Sequence, residues 1–319
     1  MKRRPPKRQC GVALLTVLLV VFLAALTAAS LAELQQLAIR RHTLLAHQRQ
    51  ARLYTLGGEQ WAALILRRDR KDNPIDHLGE AWATLKPVLE VEGGVLSGAI
   101  ADQQSLFNLN NLVDQDGKRD PNMVAVLQRL LELLELDPAL AGAILDWIDP
   151  DQEQTDPGGA EDSIYLVQTP PYLAANRPFQ NRSELRLVRG FDAASYAKLA
   201  PYVTALPQGT RLNVNTAPTL LLAALSRRLD PGELEGALAQ RRRRGFTTLQ
   251  EFLGAAKLAD PVIRDQNLLP NYLDVASQYF RVRIEAQVGD GRALLTSLLA
   301  RDPESGNVRV LWRAYADEE

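Results

Sequence analysis

The chain has 319 residues, 46% hydrophobic and 24% charged, which is globular composition with length for two modest domains. Five of the 37 basic residues lie in the first eight positions, so a chain beginning at Val12 carries 32 basic against 38 acidic residues and is a poor generic polyanion binder. The single cysteine is Cys10, so a chain cut after Gly11 has none, and disulfides play no part in its folding.

The first predicted element is a helix. Val12 to Ala32 contains no charged residue, and 21 residues at 1.5 Å rise span about 30 Å, the thickness of a hydrocarbon core. A secretory signal core is shorter, roughly 7–15 residues. The small residues of "LTAAS" (26–30) nevertheless keep a cleaved secretory signal as an alternative. A lipoprotein signal does not fit, because Cys10 precedes the apolar run. The basic cluster ahead of the run favours a cytoplasmic N-terminus. From Val12 to Leu56 there is neither Gly nor Pro, and after Leu31 the apolar residues Leu34, Leu37, Ala38, Leu44 and Leu45 keep helical spacing. One helix of at least 45 residues is expected, apolar all round at first and amphipathic later, with a possible bend at Gly57-Gly58.

"DRKDNPIDHLGEAW" (69–82) reads as a loop and "GGVLSGAIADQQS" (93–105) as a weakly alternating strand. At the far end, 277–288, 291–300 and 307–316 read as three strands joined by turns at 289–290 and 302–306. The expected class is therefore α+β: a long N-terminal helix packed on an antiparallel sheet, with a large inserted α-helical domain. The boundaries are 1–11 for a leader and 12–70 for the helix, transmembrane over about 12–32. Residues 71–106 and 268–319 form the head, and 107–267 the insertion.

The insertion reads as internally duplicated. "FNLNN" (107–111) matches "LNVNT" (212–216), "LDPALAGAIL" (136–145) matches "LDPGELEGALA" (229–239), and "RPFQNRSEL" (177–185) matches "RGFTTLQEF" (244–252). The Asn residues are read as turn and cap residues, with Asn215 or Thr216 starting a helix. Between the halves of the first copy lies "DPDQEQTDPGGAED" (149–162), holding Asp149, Asp151, Glu153, Asp156, Glu161 and Asp162. Oxygen ligands from one flexible loop suit Ca²⁺, and the absence of nearby His or Cys disfavours zinc. The spacing is not an EF-hand, since the twelfth position is Ala160, and a solvated acidic loop is the alternative. "RRRRGF" (241–246) raises a DNA-binding alternative, because the second copy resembles helix-hairpin-helix modules. The matching turn, "RRLDPGEL" (227–234), has one Gly and several carboxylates and lacks the phosphate-holding chemistry. His42, His47 and His77 lie far from the acidic loop, and no nucleophile elbow, phosphate loop or metalloprotease pair is present, so no enzyme is expected.

The short basic leader ending at Gly11, ahead of a retained apolar helix, resembles a type IV prepilin signal with its cut between Gly11 and Val12. "DHLGEAWA" (76–83), "ADQQSLFNLNNLV" (101–113), "AILDWIDPDQEQTDPGGAEDSIY" (143–165) and "RLNVNTAP" (211–218) together resemble the minor pseudopilin K family of type II secretion systems over nearly the whole chain. Most pilins carry Glu as the fifth mature residue; this chain has Thr16, and the family it resembles typically lacks the Glu. The resemblance implies a structural subunit at the pseudopilus tip, anchored once in the inner membrane with its C-terminal part periplasmic. It implies a prepilin peptidase that recognises Gly11 and methylation of Val12. It also implies the I- and J-type minor pseudopilins as partners and a structural Ca²⁺ on the acidic loop; the acidic body itself leads to the expectation of no nucleic acid.

Overall fold

The structure is a computed structural model and describes residues 10–84, 88–226, 234, 238, 239, 241, 244–256 and 269–315. Helix α1 runs without a break from Cys10 to Asp72. At 63 residues it is roughly 95 Å long. It passes straight through Gly57-Gly58, so the expected bend is absent, and the loop begins after Asp72 rather than at Asp69. Packing explains Gly58: a Cβ there would stand 2.8 Å from Ile284 Cδ1, so glycine lets the helix lie close on the sheet. Basic Arg70 and Lys71 sit in the last turn, where the helix dipole favours them.

From Val12 to Leu45 every residue of α1 is exposed, whereas Ala51, Thr55, Glu59, Ala62 and Leu66 are buried. That spacing of three and four places one face against a five-stranded antiparallel sheet. The strands are β1 (Val88–Val91), β2 (Gly94–Asp102), β7 (Tyr279–Val288), β8 (Gly291–Arg301) and β9 (Val308–Ala314), in spatial order β1-β2-β7-β8-β9. In β7 the alternation is strict: Phe280, Val282, Ile284, Ala286 and Val288 are buried under α1. Full burial of such side chains contributes about 1.5–3 kcal/mol each. Trp82, on a single helical turn after the loop, closes the end of this core edge-on to Phe280 at 5.3 Å.

Between β2 and β7 the chain makes the helical lobe, whose core is separate from that of the head. Strands β3 (Phe107–Asn108) and β4 (Val203–Thr204) pair in parallel, as do β5 (Leu212–Asn213) and β6 (Leu273–Asp274). Helices α2 (Pro121–Leu133) and α3 (Leu140–Ile148) belong to the first half, and α4 (Thr219–Ala224) and α5 (Leu249–Ala255) to the second.

The two halves repeat one hydrogen-bond pattern. The Asn110 amide donates to the carbonyls of Phe179 and Leu206 and accepts from Phe179 N–H. The Asn215 amide donates to Phe246 and Val275 and accepts from Phe246 N–H. Glu184 ion-pairs with Arg177 in one half, and Glu251 with Arg244 in the other. Asn215 is thus a long-range latch rather than a helix start: α4 begins at Thr219, with Pro218 ahead of it and no side-chain cap. Losing such an amide would leave buried backbone groups unpaired, at about 1–3 kcal/mol. The first half also carries residues 149–176 between α3 and the segment that docks on Asn110.

Candidate metal centre

That extra segment begins where α3 ends. The helix reads "LAGAILDWI" and is apolar on nearly every face, yet Asp146 is fully buried and Asp149 is 6% exposed at the C-terminal cap. Spaced three apart, the two carboxylates share one side of the helix. The loop folds back over it. Both Asp146 oxygens accept from Thr155 N–H at 3.2 Å, and Thr155 O accepts from Gly159 N–H at 2.8 Å. A Cβ at Gly142 would meet Pro157 O at 2.5 Å, so this glycine admits the returning backbone. Glu161 then turns inward, 4% exposed.

Asp149, Asp151 and Glu161 each place a carboxylate oxygen within 4.8 Å of the other two. Asp149 Oδ1 and both Glu161 oxygens are buried without a hydrogen-bond partner among the described residues. Burial, followed by the charges of Asp151 and Asp146, pushes Asp149 up to about 7. Burial also pushes Glu161 up to about 7, with Asp146, Asp149, Asp151 and Asp162 adding to it. Asp146 is raised by burial against the opposing bonds from Thr155. Orphaned carboxylate oxygens that converge and repel suit a hard divalent cation, and oxygen donors alone suit Ca²⁺ better than zinc.

The six carboxylates picked out in the sequence therefore separate. Asp149, Asp151 and Glu161 converge. Asp162 Oδ1 accepts from Ala174 N–H at 2.9 Å and fixes the loop's exit. Glu153 and Asp156 are exposed and lie outside the converging group. Asp146 was missed, although its position one helical turn before Asp149 was a usable signal. Behind the loop, Trp147 packs edge-on to Tyr165 at 5.3 Å and to Tyr172 at 6.4 Å, tying segment 162–174 to α3.

A second carboxylate group, Asp69, Asp76 and Glu80, lies where α1 meets the head and lobe. It has partners already. Arg301, 2% exposed, donates to Asp76 at 2.6 Å and to Asp69 at 3.0 Å. Glu80 accepts from Trp82 Nε1 at 2.7 Å and His77 N–H at 2.9 Å. The adjoining Asp102 accepts from Ser277 Oγ at 2.6 Å and Asn213 Nδ2 at 3.2 Å, and burial pushes it up to about 6.

The two described arginines of the basic run are both engaged within the chain. Arg241 donates to the carbonyls of Val214 at 2.9 Å and Ala217 at 2.6 Å, and Arg244 pairs with Glu251 at 2.6 Å. Arg242, Arg243 and most of the turn at 227–234 lie outside the described residues, as does most of the leader before Cys10.

The chain matches two family models of the type II secretion system (T2SS) protein K, over residues 105–208 and 212–275. It is 42% identical over 316 residues to the type II secretion system protein K of Pseudomonas aeruginosa, covering 96% of this chain and 92% of that one. It is 35% identical to the protein of the same name in Aeromonas hydrophila, over 94% of this chain and 95% of that one. Among solved structures it resembles a chain of the GspK-GspI-GspJ complex from the type 2 secretion system of enterotoxigenic Escherichia coli. The TM-score is 0.75 at 28% identity, over 87% of this chain and 100% of that one.

Proposed function

We propose a role from one premise: this chain belongs to the type II secretion system protein K family. It is a structural minor pseudopilin, held by a single long apolar helix, and its partners are the I- and J-type minor pseudopilins. Its place is the tip of the pseudopilus. The observation that carries the tip position is the lobe between β2 and β7, a second globular mass on a pilin-type head. Repeating such a mass at every step of a tightly wound fibre would be sterically costly. Thr16 agrees with this placement. Its hydroxyl donates to Ala13 O at 2.9 Å, so it is satisfied within its own helix, whereas an unpaired carboxylate in lipid is expensive.

The basic leader sets the N-terminus in the cytoplasm and the head and lobe in the periplasm. A prepilin peptidase cuts between Gly11 and Val12, and Val12 is then N-methylated. Asp149, Asp151 and Glu161 hold a calcium ion, with Asp146 shaping the loop around them. When bound, the ion supplies charge neutralisation and cross-links the loop to α3, which is structural chemistry. The protein is non-catalytic. Mass spectrometry of the mature N-terminus tests the assignment. A start at Val12 carrying one methyl group is expected, and cleavage near Ala29 would remove the anchor and the pilin-type assembly with it.

A further inference from the structure

We propose that the joint between head and lobe is a proton-dependent hinge: the lobe is held in place while one carboxyl of the group Asp69, Asp76, Glu80 and Asp102 keeps its proton, and it swings free when that proton is lost. Head and lobe have separate apolar cores, and the side chains buried between them are largely polar: Asp76, Asp102, Gln104, Asn213, Ser277 and Arg301. The chain crosses the joint twice, after β2 ends at Asp102 and before β7 begins at Tyr279. Hydrogen bonds to carboxylates fasten the lobe there. Asn213 Nδ2, on the lobe strand β5, donates to Asp76 O at 3.1 Å and to Asp102 Oδ2 at 3.2 Å, and Thr216 Oγ1 donates to Asp102 at 2.5 Å. Ser277, on the return crossing, donates its Oγ to Asp102 at 2.6 Å and its N–H to Asp76 at 2.7 Å. Charge at this seam therefore decides how firmly the lobe sits.

The charges do not balance. Asp69, Asp76 and Glu80 bring carboxylate oxygens within 4.8 Å of one another, and Asp102 shares Ser277 with Asp76. Against them stands Arg301, paired with Asp69 and Asp76. The other basic group facing the cluster, among the described residues, is His77, 3.8 Å from Glu80. Arg70 is turned to the carbonyls of Pro74 and Pro303. Asp72 pairs with Arg68, and Asp274 with Arg211. Full ionisation would leave two carboxylates of the cluster without a cation even with His77 charged, and uncompensated buried charge is costly.

Asp69 is the group that holds the proton. Its carboxylate accepts from Arg301 alone among the described residues. Asp102 instead accepts from Ser277, Thr216, Asn213 and the N–H of Gln104, and each of these bonds favours its ionised form. Burial, then the charges of Glu80 and Asp76, push Asp69 up to about 7 against the pull of Arg301. In a released joint this carboxyl would regain water and its ordinary value near 3.8. The closed joint therefore binds the proton: its advantage is full below about 4 and is lost as pH rises through about 7.

The test is pulsed electron–electron double resonance on the full-length chain in detergent micelles, with Cys10→Ser removing the single cysteine. One label pair spans the joint, Gln287→Cys on β7 and Gln250→Cys on α5. A second lies within the lobe, Ala194→Cys and Gln250→Cys, and all three positions are exposed. The joint-spanning distance distribution should be narrow at about pH 5.5 and at least about twice as wide at about pH 8.5, with its midpoint near 7. The distribution within the lobe should keep its width. Asp69→Asn keeps an acceptor for Arg301 without the charge, and should hold the joint-spanning distribution narrow at both pH values. Glu80→Gln removes a charge that raises Asp69, and should move the midpoint to lower pH. A joint-spanning distribution of constant width in the chain with its cluster unaltered would overturn the hinge. So would equal widening within the lobe, or widening that persists in Asp69→Asn.

Discussion

Two triads of carboxylates occupy opposite ends of one problem. Asp69, Asp76 and Glu80 are gathered at the junction of α1, head and lobe, and Asp149, Asp151 and Glu161 at the end of α3. The first triad faces Arg301, whose guanidinium is buried among the carboxylates and reaches two of them. The second has no basic partner among the described residues, and three of its oxygens are orphaned. The difference teaches how a buried acidic cluster can be made compatible with folding. In one, a cation encoded in the chain pairs with two of the three carboxylates. On the calcium reading proposed above, the other would take its cation from solution.

The largest effect should come from removing the internal cation. Arg301→Met strips the partner from Asp69 and Asp76, and breaking a buried pair from one side typically costs about 3–5 kcal/mol. Chemical denaturation should show that loss, and added Ca²⁺ should not restore it, because Arg301 also donates to the Leu66 and Ser277 carbonyls, which lose their donor with it. Full rescue by Ca²⁺ would make the two triads equivalent and erase the contrast.

Next comes the external cation. An ion bound only to the native state stabilises by RT ln(1 + [L]/Kd), about 2.7 kcal/mol at a hundredfold excess over Kd. Calorimetry should show a higher melting temperature with Ca²⁺ than with chelator, and Mg²⁺ should substitute poorly because it demands a tighter octahedron. Asp149→Asn should abolish that response. In chelator the same substitution should raise the melting temperature, since it removes one of the repelling charges. A calcium response that survives Asp149→Asn would move the ion elsewhere.

The pH dependence sharpens the same point. Asp149 and Glu161 are both raised to about 7, above their unfolded values near 4. The native state therefore binds more protons than the unfolded state between those limits. Without Ca²⁺ their contribution to stability is full below about 4 and is lost as pH rises through 7. Calcium must compete with those protons, so the calcium-dependent gain in melting temperature should be small at pH 5 and grow toward pH 8. A gain that is flat across this range would mean the ion does not contact Asp149 or Glu161. The smallest effects should come from Glu153→Ala and Asp156→Ala. Both side chains are exposed, and each change should stay within about 0.5 kcal/mol and leave the calcium response intact. If either abolishes it, the ion sits farther out on the loop.

Much of this was legible in the sequence for local reasons. The long helix needed only a run free of Gly and Pro, and β7 announced itself by alternation. The acidic loop stood out by composition, and the repeated landmarks of the lobe by order. The resemblance to the pseudopilin K family was carried by motifs that stay contiguous. What escaped was of another kind. Asp146 was not among the carboxylates singled out, and Arg301 fell just past the strand read over 291–300. Asn215 looked like a cap.

The sequence by itself determined the long helix, the last three strands of the head and the acidic loop, because periodicity and turn chemistry act over a few residues. It also determined that an apolar anchor precedes a two-part body. Only the tertiary structure decided which of six carboxylates converge, which glycine of a pair is used by the head, and which arginine pairs with two carboxylates of a buried triad. Asp76 and Arg301 are separated by 225 residues, and Asn110 and Phe179 by 69. Charge burial and latch formation depend on the distance between side chains in space, which spacing along the chain does not encode.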